Sequence, residues 1–411
     1  MAFFGVFGAL GFGRFGYSAV LPSMQKALGL SSAAAGSLAS WNLAGYTLMA
    51  AVGGILASRV GPRKVLTAGL VLTAAGMLFT GLTNGLFGAS VGRLITGLGN
   101  GMILVPSITL MAAWFDARRL GFASSVVPTG SSLALIVAGP LVPRIIDAGG
   151  AGGWRLAWYF FAAITIVMAV LNVIIQRDHP YDLASMRGPL PLHYPRTMPA
   201  ARTSTRLAQA PRESTTTELK KILRSGYAWH LGIVYLLYGI AFLAYFTFFQ
   251  KRLTSDLGFS PAMAGNLFII VGAAGLIGGV LWGTISDRIG RRLTITVTMT
   301  LAGIAGLLFA WAPNTATLAV SAALFGSTGV IVPGLIGAAC GDKFGPVLAS
   351  TSLGLLTVLV GIGQAIGPLL GGFLGDVYSS LGPAYILSGG VFIAGAVGAV
   401  LLPRPKRSGR P

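Results

Sequence analysis

Arg14 lies near the middle of the apolar stretch Phe3–Met24, a run long enough to cross the roughly 30 Å apolar core of a bilayer as a helix. An arginine at that depth costs at least about 2.5–3.5 kcal/mol on insertion scales, so it is expected to face a cavity or a partner. The ten acidic residues (Asp116, Asp147, Asp178, Asp182, Glu213, Glu218, Asp256, Asp287, Asp342 and Asp376) fall in loops or at the ends of apolar segments. Arg14 therefore has no evident carboxylate of its own chain, and the expected partner is the substrate, an organic anion. Tyr17 follows three residues on, on the same face of an α-helix. Together they offer a guanidinium fork and a hydroxyl, a pair suited to a carboxylate. The competing reading of Arg14 is a guanidinium capped by helix carbonyls.

Other polar residues interrupt apolar segments. Asn42 and Tyr46 are spaced i, i+4, and Tyr235, Tyr238, Phe242, Tyr245 and Phe249 form a stripe on one helical face. These, with Gln364 and Asn266 as lesser candidates, would line a cavity against an organic substrate body; the alternative is packing between helices. Arg93 opens a run with Gly97, Gly99 and Gly101. Its expected role is to hold the first and fourth segments together, with Asn100 two turns further in and expected on the same side. No nucleotide-binding loop, metal cluster or nucleophile constellation is legible, so no enzyme activity, cofactor or metal is expected. His179, His193 and His230 do not group as metal ligands, and the lone Cys340 reads as packing.

The elements that must position these residues are membrane helices. The 411-residue chain is 54% hydrophobic and only 9% charged, against about 25% charged in soluble domains. Twelve apolar segments lie near 3–25, 33–57, 65–84, 86–112, 121–144, 154–175, 227–250, 262–285, 293–312, 315–340, 347–371 and 382–402. Between the sixth and seventh runs a stretch rich in Pro, Ser and Thr, which reads as a linker. The expected division is 1–175, a six-helix bundle; 176–226, a linker; 227–402, a second six-helix bundle; and 403–411, a tail. The net charge of +19 is not spread as a nucleic-acid footprint. Twenty-two Lys and Arg residues fall in one alternating set of loops and termini and five in the other. That bias places both termini and the linker in the cytoplasm of a multi-pass inner-membrane protein. No cleavable leader is expected ahead of the first segment.

The two bundles repeat. LGLSSAAAGSL at 28–38 matches LGFSPAMAGNL at 257–267, an offset of 229, and Ser58 and Gly61 map by the same offset onto Asp287 and Gly290. A parallel duplication explains this, with the halves related by an axis along the membrane normal. The loop after the eighth segment reads Gly283, Asp287, Arg288, Gly290, Arg291, Arg292, and it resembles the loop signature of the major facilitator superfamily. The resemblance covers the whole chain. It implies an all-α polytopic fold of twelve transmembrane helices in two pseudo-symmetric bundles. Gly283 is expected to permit close helix approach, and Asp287 to pair with an arginine or a helix terminus as a conformational latch. In the first half Ser58 replaces the acid, beside Arg59, and Pro62 follows Gly61. Arg93 and its glycines resemble an element of the same family, and Gly130 with Gly139-Pro140 is similar in part to one that marks its exporters. The run from Gly11 to Tyr17 looks like the first helix of a bacterial branch with neighbours that carry small carboxylates.

The expected function is a secondary active or facilitative transporter of a small organic anion, working by alternating access. Its substrate site would draw on Arg14, Tyr17, Asn42, Tyr46, Asn100, Tyr238, Tyr245 and Gln364. Gating and structural roles fall to Arg93, Arg59, Gly283, Asp287, Arg288, Gly290 and Arg291. The expected partners are that small-molecule substrate and the lipid bilayer, not nucleic acid, and the chain is expected to act as a monomer. The alternatives are an exporter of drugs or lipophilic compounds and a non-transporting sensor on the same fold.

Overall fold

The computed structural model describes residues 1–115, 126–178, 220–311 and 314–403. Most of the expected linker and the basic tail lie outside them, as do Asp116, Asp182, Glu213 and Glu218. Among the described residues the regular elements are helical: α1 (Ala2–Leu28), α2 (Ser32–Val60), α3 (Pro62–Leu82), α4 (Leu86–Gly101, resuming as Leu104–Trp114), α5 (Gly130–Gly149) and α6 (Gly153–Ile175) in the first half. The second half holds α7 (Gly226–Thr247), α8 (Pro261–Ile289), α9 (Arg291–Trp311), α10 (Thr315–Phe344), α11 (Thr351–Val377) and α12 (Gly382–Val400). Among the described residues ten segments are long and apolar enough to cross a membrane. One of them, Val127–Ile175, contains both α5 and α6, and α2 is a further 29-residue helix, so the twelve expected segments are all present.

The helix starts follow the sequence. α2 and α8 each begin after a left-handed glycine, Gly29 and Gly258, with a serine N-cap: Ser31 accepts from the Ala34 amide at 3.1 Å and Ser260 from the Met263 amide at 3.2 Å. The tight turns at Gly61 (φ +92°) and Gly290 (φ +90°) lead from α2 to α3 and from α8 to α9, a conformation that costs other residues strain. The duplication is thus visible in the backbone as well as in the sequence.

The halves meet along two seams, α2 against α11 and α5 against α8. A Cβ on Gly36 would collide with the Pro368 carbonyl, and one on Gly265 with the Gly139 carbonyl; these contacts are related by the offset of 229. Further along the second seam a Cβ on Gly272 would lie 2.7 Å from the Ser132 carbonyl, one on Gly279 3.9 Å from Thr129, and one on Gly283 would meet nothing within 4 Å. On the first seam a Cβ on Gly361 would lie 2.6 Å from Thr47 Oγ1, whereas one on Gly354, two turns nearer the start of α11, would meet nothing within 4 Å. Both seams close toward the face holding the α1–α2 and α7–α8 turns and splay toward the basic face, where the Lys- and Arg-rich turns lie. The close approach expected at Gly283 is therefore not made: the glycine sits where the halves have parted.

Candidate functional site

α1 is wound wider than an α-helix over Phe7–Phe15, so that the Gly16 amide reaches back to the Gly11 carbonyl. Such π-helical turns are rare and often fall at functional positions. This one carries Arg14. Besides the bonds within the helix, three of its carbonyls meet side chains of neighbouring helices. Thr165 of α6 donates to the Gly8 carbonyl at 3.3 Å. The Asn100 amide of α4 faces the carbonyls of Ala9 at 3.0 Å and Thr96 at 3.1 Å. Arg93 of α4 donates through Nη1 to the Gly13 carbonyl at 2.6 Å, and through Nε to Leu38 of α2 at 3.5 Å. Its guanidinium lies 4.6 Å over the Tyr17 ring and 5.3 Å from that of Trp158, and it is buried. Arg93 thus ties α1 to α2 and α4.

Arg14 has a different environment. The wide winding turns it out of the register in which Tyr17 would sit beside it, and it points at the second half. Nη2 donates to Gln364 Oε1 of α11 at 2.7 Å. The guanidinium lies 5.1 Å from the Tyr46 ring of α2 and 5.3 Å from its neighbour Phe15. Tyr46, Tyr235 and Tyr238 are its electrostatic neighbours, and its charge also acts on Arg93. Nε is buried without a hydrogen-bond partner. Among the described residues neither Arg14 nor Arg93 meets a carboxylate, whereas Arg252 pairs with Asp256, and Arg291 with Asp287 and Asp342. Two cations therefore stand close together at the junction of the halves with no acid to neutralise them.

The Tyr17 hydroxyl donates to the Ala35 carbonyl at 2.7 Å and is not turned to Arg14. Asn42 donates to the Arg93 carbonyl at 3.2 Å and leaves Oδ1 unpartnered. Asn42 Oδ1, Ser18 Oγ and Arg14 Nε are all unpartnered and border one crevice between α1, α2, α4 and α7 of about 10 Å³, on the order of a single water. Tyr238 donates to Gly329 at 2.8 Å and Tyr245 bonds Ser321 at 2.8 Å, with its ring stacked 3.8 Å from Phe325. The aromatic stripe of α7 is packed inside the second half from Tyr238 onward, and Asn266 is exposed. The structure brings together Arg14, Gln364, Tyr46 and Tyr235; Gln364 was reached only weakly from sequence, because nothing there says which face of α11 meets α1.

At the basic face, Asp287 pairs with Arg291 at 2.7 Å, and Arg291 with Asp342 of α10 at 3.3 Å. Arg59 and Arg288 are exposed. In the first half, where Ser58 replaces the acid, Asp178 accepts from the Arg63 amide at 2.7 Å, capping the start of α3. Arg63 also reaches the Val173 carbonyl of α6, and Arg292 the Val400 carbonyl of α12, an echo of the repeat. Asp178 was missed from sequence because it reaches the turn from the far end of α6.

A family profile described as Major Facilitator Superfamily matches residues 3–252 and 248–411. Monocarboxylate transporter 13 of Rattus norvegicus is 24% identical over 89% of this chain and 79% of its own length. A probable sulfoacetate transporter, SauU, of Cupriavidus necator is 23% identical over 95% of this chain and 89% of its own. Among solved structures, a mutant of the nucleoside transporter NupG aligns over 98% of both chains with a TM-score of 0.74 at 14% identity.

Proposed function

Because this chain belongs to the Major Facilitator Superfamily, a family of membrane transporters and not of enzymes, we propose that it carries a small organic anion across the membrane by alternating access. The anion is a carboxylate or a compound with a similar charged head. The observation that carries this reading is the half-buried Arg14, aimed across the junction of the halves, bonded only to a neutral amide and close to a second arginine. A cation so placed is costly unless something neutralises it. An anion arriving from the splayed basic face would complete the site through a charge-assisted fork. Gln364 orients the guanidinium, and the rings of Tyr46 and Tyr235 border the organic body. The relatives named for monocarboxylates and for sulfoacetate agree with that chemistry. The two bundles are joined by the 176–226 linker, with it and both termini in the cytoplasm of an inner membrane, and the unit of function is one chain.

The exporter reading loses its sequence support to packing. Gly139 of the Gly-Pro element makes the α5–α8 crossing, and most of the aromatic stripe is committed inside the second half.

The test is thermal stabilisation of the purified protein by small carboxylates, sulfonates and phosphates, with organic cations in parallel. A ligand at one hundred times its Kd adds about 2.7 kcal/mol, which moves the melting midpoint by a few degrees. At least one anion should stabilise the wild type and leave Arg14→Gln unmoved. Stabilisation by cations alone, or equal anion response in Arg14→Gln, would reject the assignment.

A further inference from the structure

Two aspartates, Asp147 in the last turn of α5 and Asp376 in the last turn of α11, are separated by 229 residues, the offset of the duplication. They are pseudo-symmetric copies, and they do different things. Asp376 crosses from the second half to the first. Its carboxylate accepts from the backbone amides of Ser32 at 2.6 Å and Ala33 at 2.8 Å, the first residues of α2. Lys251, past the end of α7, donates to Ser32 Oγ at 2.6 Å, so two groups of the second half hold one helix start of the first. The Asp147 carboxylate has no hydrogen-bond or ion-pair partner among the described residues; its backbone carbonyl accepts from the Gly150 amide.

The difference is written in the residue each aspartate would meet. The counterpart of Ser32 is Pro261, which has no N–H to give. The counterpart of Gly372, whose Cβ would collide with the Ser32 carbonyl, is Pro143. On the α2–α11 seam a glycine and a serine let the helices touch to their ends. On the α5–α8 seam Pro143 and Pro261 instead line a cavity of about 610 Å³ that also reaches Pro22, Lys26 and Lys251. The face opposite the basic one is therefore shut by one aspartate and not by its twin.

We infer that Asp376 is the latch that holds this outer face closed, and that its release from the start of α2 is a required step each time the transporter opens outward. The carboxylate sits on the positive end of a helix, where a negative charge is favoured, and the two halves can separate there only by breaking both bonds. Asp147 carries no such load, which makes it an internal control. The inference rests on the alternating-access part of the proposed function and not on the identity of the substrate.

The experiment uses the full chain in membranes with Cys340, the lone and buried cysteine, replaced by alanine. Two single-cysteine probes report the two openings: Thr247→Cys, buried beside the crevice on the closed side, and Gly354→Cys, facing open space on the splayed side. Asp376→Asn should raise the maleimide reactivity of the first and lower that of the second, by roughly threefold to tenfold, the range a charge at a helix N-terminus commands. Ser32→Pro should act the same way. It removes the amide that donates to Asp376 and the hydroxyl that accepts from Lys251, at a position where proline is tolerated and where the second repeat already has one, so it guards against an Asp376→Asn chain that fails to fold. Asp147→Asn should change neither probe. Unchanged reactivity in both Asp376→Asn and Ser32→Pro, or an equal response to Asp147→Asn, overturns the latch. If the two probes move together instead of in opposition, it is alternating access that falls.

Discussion

Arg14 and Arg93 are the same residue type at similar depth, and their surroundings separate structure from chemistry. Arg93 spends its donors on the carbonyls of Gly13 and Leu38 and stacks on Tyr17; Arg14 bonds one amide oxygen and keeps a buried Nε unpaired. Arg93→Lys should then lower the melting midpoint in detergent, because one ammonium cannot reproduce the fork. Gln364→Leu should do the reverse: it leaves the fold intact and raises KM by roughly threefold to tenfold, because an oriented guanidinium loses its positioning contact. A fall in stability with unchanged KM would return Gln364 to packing. The sequence made Arg14 legible, since a lone cation in an apolar run is conspicuous. It mis-set Tyr17, because the expected pairing assumed α-helical spacing and the chain winds wider at that point.

At the scale of elements, α1 depends on α4 and α6 for its shape. The π-helical winding of Phe7–Phe15 exposes carbonyls that Thr165, Asn100 and Arg93 cover, and without them the wide turn would relax toward an α-helix and carry Arg14 off target. Asn100→Leu removes the side-chain bonds to the Ala9 and Thr96 carbonyls, at a cost of about 0.5–1.5 kcal/mol each. It should lower both the thermal midpoint and anion affinity; a loss of stability with full affinity would show that the winding does not position Arg14. The boundaries of most helices were readable from apolar runs, serine caps and glycine turns. The winding within α1 was not, because hydropathy carries no signal for a change in residues per turn. Its only trace in the sequence is the spacing of small residues, such as Gly11 against Ala134, that lets neighbouring helices crowd it.

The whole molecule is a pair of similar bundles that differ at a few charged positions. Arg14 maps onto Leu243 in the other half, and Asp376, bonded to the start of α2, onto Asp147, whose carboxylate has no partner among the described residues. The duplication was legible from matched polar and glycine positions; which seam closes, and where, was not, because that depends on contacts between residues hundreds of positions apart. The seams predict that Gly272→Leu, set 2.7 Å from the Ser132 carbonyl, jams the α5–α8 contact. Both bundles should stay folded while transport falls by at least about tenfold, as expected when one of two packed arrangements is blocked; wild-type rates in that variant would show that this contact is not part of the cycle. The central claim, that Arg14 binds an anionic substrate, is tested most directly by uptake into proteoliposomes of a panel of radiolabelled small carboxylates and sulfonates by wild type, Arg14→Gln and Arg14→Lys. Wild type should take up at least one anion, folded Arg14→Gln should lose that uptake and Arg14→Lys should keep a weakened remainder. Equal uptake by wild type and Arg14→Gln, or transport of cationic compounds with no anion carried, would contradict it.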